Sequence, residues 1–225
     1  MSGFLGPIHI WLYNKIKFQD GLTKTFIAFA DEKDYEVESL KNIDKLCGSL
    51  QEGELAELID GSNIHGWLQE RLALVETRLA YAVGEILKGG RERIDELCKA
   101  AFKYAQKSAA NKKITPAGGY EYLDNILLNG MPCDRVNIVT SQDDTSISWE
   151  QYEDIHRPYW EMLSVGVDNY YRIRQAVING IFEGTDIKFE VLENQNYRLE
   201  YKNIATQIEN KVDLSEIKNK MLIGG

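Results

Sequence analysis

The chain is expected to be mostly α, a helical bundle with a small antiparallel β-hairpin in its C-terminal half. Three observations predict this: long apolar stripes at helical spacing, glycine and proline placed where helices start and stop, and one pair of short alternating runs near the C-terminus. The clearest stripe runs His65, Leu68, Leu72, Val75, Leu79, Ala82 and Ile86. Steps of three and four lay these residues along one side of a helix. Asn63 or Ser62 can cap its start, and Gly89-Gly90 can end it.

The same register occurs earlier, at His9, Leu12, Ile16, Gln19, Thr23, Phe26 and Ala30, and it marks residues 7–30 and 63–88 as a faint internal repeat. Pro7 suits the first helical position, where its missing N–H costs nothing. Both histidines then stand in the first turn of their helices. Residues 37–46 and 52–60 read as shorter helices, closed by Gly48 and Gly61, that return the chain. The two long helices then run parallel, with His9 and His65 at the same end. Were they antiparallel, a helix length would separate the two rings.

Residues 91–108 form the next expected helix, with Ile94, Leu97, Cys98, Ala101 and Ala105 on one face. The polar segment 107–113 divides a helical half, 1–110, from a second half, 111–225, the two making one compact unit. Thr115-Pro116 opens a helix reaching about Leu128, and a short strand is expected over 135–140. Ser148-Trp149-Glu150-Gln151 has the form of a capping box, so a helix carrying His156 and bent or stopped at Pro158 is expected there. A further helix covers 168–182. Ile187, Phe189 and Val191, then Tyr197, Leu199 and Tyr201, alternate with polar residues as a hairpin over 186–202. Residues 214–222 read as a last helix.

Composition removes several function classes. A formal charge of −9 disfavours non-specific binding to nucleic acid or anionic lipid. No run approaches the roughly 20 apolar residues of a membrane span. Three cysteines at wide spacing make no disulfide framework and fit a reducing, cytoplasmic setting. The Gly-Gly pairs lack the pattern of a phosphate loop.

All three histidines share one phrase, Ile-His followed closely by tryptophan: Ile8-His9-Ile10-Trp11, Ile64-His65-Gly66-Trp67 and Ile155-His156-Arg157-Pro158-Tyr159-Trp160. Imidazole is the commonest transition-metal ligand, and the positive end of a helix dipole favours its uncharged form. His9, His65 and His156 are therefore the candidate ligands of a transition metal, iron or zinc, or of haem. Glu153 stands three residues before His156, the spacing of carboxylate and imidazole in di-iron bundles, but Gly6 and Ser62 occupy the matching places before His9 and His65. Cys133, in the loop after the sixth helical segment, completes the candidate set. The competing expectation is a non-enzymatic interaction or regulatory module, its histidines structural and its 68–86 seam a homo-oligomer interface.

Overall fold

The computed structural model describes residues 5–193 and 195–203. Helix α1 (Pro7–Glu32) starts after an extended Gly6, with proline in its first turn. A 3-10 turn, Glu38–Asn42, leads to α2 (Ile43–Cys47), and α3 (Leu55–Leu58) is a single turn. Helix α4 (Ile64–Leu87) begins where the Asn63 side chain accepts the Gly66 N–H, and Gly90, at φ 150°, breaks the chain after it. Then follow α5 (Arg93–Ala105), α6 (Pro116–Ile126), strands β1 (Asn137–Gln142) and β2 (Ser146–Gln151), α7 (Arg157–Met162), α8 (Asp168–Ile181), and strands β3 (Ile187–Val191) and β4 (Asn196–Tyr201).

The two related stripes meet. From Leu68 to Ile86 every stripe residue of α4 is buried, as are Leu12, Ile16, Gln19, Thr23, Phe26 and Ala30 of α1, and the two helices pack side by side. Each fully buried leucine or isoleucine here contributes about 1.5–3 kcal/mol. Charge reinforces the pairing, because Arg78 of α4, 3.5 Å from Asp20 of α1, also reaches Asp44 at 2.8 Å and the Gly48 carbonyl. The seam is thus consumed inside the chain. It is not an exposed surface for the homo-oligomer expected from its heptad-like spacing, because α1 already covers it.

Helix α5 packs on α8, where Gly180 allows the close approach: a Cβ there would collide with the Phe102 carbonyl oxygen. The C-terminal sheet has the order β1-β2-β4-β3, with every neighbouring pair antiparallel. Ile147, Trp149, Phe189, Tyr197 and Leu199 line its buried face, while Lys188, Glu190, Arg198 and Glu200 alternate with them. Trp149 meets Tyr120 of α6 with ring centres 5.1 Å apart. One core cluster joins Leu97 and Ala101 to Ile173, Val177 and the sheet, so the halves divided at 107–113 share their interior. A second cluster, Leu12, Ile64, Trp67, Leu68, Leu128 and Met131 among it, fills the end of the bundle where α1 and α4 begin.

Several boundaries differ from expectation. The hairpin over 186–202 is present, and the expected strand near 135–140 is β1, but the Ser148 capping box is not a helix start. Ser148 lies in β2, where its Oγ accepts from Arg198 Nε at 3.1 Å and its neighbours Ile147 and Trp149 pair with Leu199 and Tyr197. Alternating burial of β-branched and aromatic side chains outweighs the local capping pattern. His156 accordingly precedes α7 as its N-cap residue, and Pro158 opens that helix instead of stopping one. The segment 52–60 contributes only the turn of α3, bounded by Gly53 at φ 142° before it and an extended Ile59 after it. The helix expected over 214–222 lies outside the described residues.

Candidate functional site

At the shared start of α1 and α4, the rings of His9 and His65 lie edge to face with centres 5.8 Å apart. The parallel packing of the stripes produces this meeting. His9 is half-buried and its Nδ1 accepts the Gly6 N–H at 2.9 Å, so its Nε2 carries the proton. His65 is exposed. Tyr13 packs on Trp67 below the pair, and Arg71 lies over the Trp67 ring at 4.9 Å. Ile8 and Ile10, 52% and 47% exposed, flank His9 on the outer side of α1.

His156 is placed differently. It is fully buried, with Nδ1 3.0 Å from Glu76 Oε1 and Nε2 2.9 Å from Tyr170 Oη. Arg174 Nη1 donates to the same Tyr170 oxygen at 3.2 Å. Tyr170, accepting from Arg174, then donates to His156 Nε2, and His156 Nδ1 donates to Glu76. Every hydrogen in the chain points from the guanidinium toward the carboxylate, a directional network across α8, the turn before α7, and α4. The imidazole also stacks on Tyr170 at 3.9 Å, and Trp160 meets Tyr170 edge-on. Burial drives the Tyr170 phenol well above its ordinary range, against the opposing pull of Arg174. This tyrosine stays protonated as a donor at any physiological pH.

Glu153 and Cys133 are both exposed and neither joins a histidine site. Glu153 lies between β2 and α7, so the helical face that its spacing to His156 implied does not exist; its carbonyl accepts from Gln151 Nε2 at 3.2 Å. Cys133 Sγ sits 3.8 Å from Asp134 Oδ1. Cys47 and Cys98 are half-buried packing residues whose thiols burial pushes up. Among the described residues no three His, Cys, Asp or Glu side chains are grouped to hold a metal ion. Of the five candidates, His9 and His65 come together. His156 is excluded as their companion because both its nitrogens are engaged in the core.

Neither Glu76 nor Arg174 was singled out by sequence. Their signal was present: Glu76 and Arg78 border Val75 and Leu79 on the seam, and Tyr170 and Arg174 share the apolar side of α8 with Ile173 and Val177. A charged residue in the phase of core residues is either paired inside or an error of phase. No helix among the described residues is long and apolar enough to cross a membrane. Comparison with protein-family models, with curated proteins and with solved structures finds no match to this chain in any of the three.

Proposed function

We propose that the paired ends of α1 and α4 bind a divalent transition metal, zinc or iron, through His9 and His65. The spacing of the two rings carries the reading. With metal–nitrogen bonds of about 2.0–2.1 Å, an imidazole centre sits about 3.2 Å from its metal, so two rings on one ion lie about 5.2 Å apart at a tetrahedral angle and about 6.4 Å when trans. The observed 5.8 Å falls between these limits. A haem held between the same rings requires the trans value, so the spacing suits a bare ion better than haem.

Binding through His9 Nε2 as a neutral ring requires its proton to move to Nδ1, which gives up the hydrogen bond from Gly6, a cost of about 1 kcal/mol that metal ligation can exceed. Two imidazoles leave coordination positions open. A second copy of the chain, presenting the same pair across the exposed Ile8 and Ile10, would complete a tetrahedral site and bury that apolar surface. This supplies a homo-oligomer contact that the consumed seam cannot. A reducing cytoplasmic setting agrees with the exposed free thiol of Cys133.

Equilibrium dialysis of chelator-stripped protein against zinc, followed by sedimentation velocity, tests the proposal. The expected result is one ion per two chains and a dimer, both lost in His9→Ala and His65→Ala. One ion per chain with unchanged mass would leave the metal site but remove the second copy. The alternative, a non-enzymatic interaction module with structural histidines, draws on the buried bonding of His156 and the Gly6 cap of His9. Protein that takes up no metal would favour it.

A further inference from the structure

Away from the histidine pair, a cleft of about 220 Å³ opens between α8 and the β3–β4 hairpin. Arg174 lines it. This guanidinium is only 8% exposed, its hydrogen bond goes to the uncharged Tyr170, and no carboxylate among the described residues lies within 4.0 Å of it. Lys15, itself 2% exposed, is near enough for the charge of Arg174 to oppose its protonation. A buried cation without a counter-charge is costly to desolvate, so this site is electrostatically incomplete.

The other cleft residues define what would complete it. Gln195 Oε1 is buried and accepts no hydrogen bond from the described residues. Phe189 and Tyr197 stack at 5.9 Å with planes 15° apart, and Val191, 50% exposed, leaves an apolar edge open beside them. The volume is below the ~300–1,000 Å³ of drug-sized sites, which limits the occupant to a single ring system with short substituents.

We infer that this cleft binds a small aryl carboxylate bearing a neutral N–H donor. Its carboxylate pairs with Arg174, its N–H reaches Gln195 Oε1, and its ring lies along Phe189, Val191 and Tyr197. Arg is suited to carboxylate by its planar, two-pronged donors. The nearby cations disfavour a ligand carrying an ammonium group. The inference is independent of the metal proposal, since His9 and His65 do not line this cleft.

Calorimetric titration and thermal melting of the full chain with indole-2-carboxylate, naphthalene-2-carboxylate and indole test it. Indole-2-carboxylate should bind saturably and raise the melting temperature. Naphthalene-2-carboxylate, lacking the N–H, should bind about tenfold more weakly, and indole, lacking the charge, at least about a hundredfold more weakly. Gln195→Leu should erase the difference between the two acids. Arg174→Met should lose both, and because it also disturbs Tyr170, Val191→Trp at an exposed strand position should lose both by filling the cleft. No binding of either acid at millimolar concentration would overturn the inference. So would acid binding indifferent to Gln195→Leu and Val191→Trp, or a preference for inorganic phosphate over both acids.

Discussion

The phrase Ile-His with a nearby tryptophan occurs three times, yet its copies have two physical fates. In the first two, histidine falls in the first turn of a long helix, and the parallel packing of α1 on α4 brings the rings together near solvent. In the third, histidine precedes a short helix and is enclosed by α4 and α8, where Glu76 and Tyr170 engage both nitrogens. Local sequence sets the helix start. What lies opposite decides whether the imidazole stays near solvent or becomes part of the core.

Substitutions should separate these fates by size. His156→Ala carries the largest expected effect, about 3–5 kcal/mol lost in denaturant unfolding, because it opens a cavity and leaves Glu76 buried without its donor. A loss below about 1 kcal/mol would break the comparison. Leu72→Ala, on the seam that holds the exposed pair together, is expected to cost about 2–5 kcal/mol by the same measurement.

A pH series sharpens the contrast further. Burial, aided by Arg174 and opposed by Asp124, lowers the Lys15 amine from 10.5 to about 8. Between these values the unfolded chain binds the extra proton and the folded one does not, so stability should rise with pH from about 8 toward 10. Above pH 10 Tyr104 reverses the trend: held up to about 12 by burial, it keeps its proton while the unfolded phenol loses its own, and stability falls. Lys15→Met should flatten the rise between pH 8 and 10, as read from unfolding midpoints. A rise that persists in the variant would assign it to another group.

The smallest effects belong to the exposed end. His9→Ala should lose about 1 kcal/mol with the Gly6 hydrogen bond, and His65→Ala should change stability by no more than about 0.5 kcal/mol, as for an ordinary surface substitution.

Much of the bundle was legible in the sequence because the seam of α4, the related stripe of α1 and the apolar face of α5 keep strict helical spacing that only a buried side needs. The parallel meeting of His9 and His65 followed from that register. The failures were tertiary. Ser148-Trp149-Glu150-Gln151 matches a capping box locally, but Ile147 and Trp149 are held by strand partners some 50 positions away in β4. The same gap hid the Glu76–His156–Tyr170–Arg174 chain, whose members lie on separate elements and acquire meaning only when α4, α7 and α8 pack.

The different fates of the three histidines can be read in one experiment, long-range proton–nitrogen correlation spectra of the imidazole side chains during a zinc titration. With three histidines in the chain, every ring can be assigned by single substitution. The expected result is that the His9 and His65 ring nitrogens shift together as zinc is added, while those of His156 keep their positions. A zinc-dependent shift at His156, or none at His9 and His65, would contradict the division between the proposed metal-binding end and a closed hydrogen-bonded core.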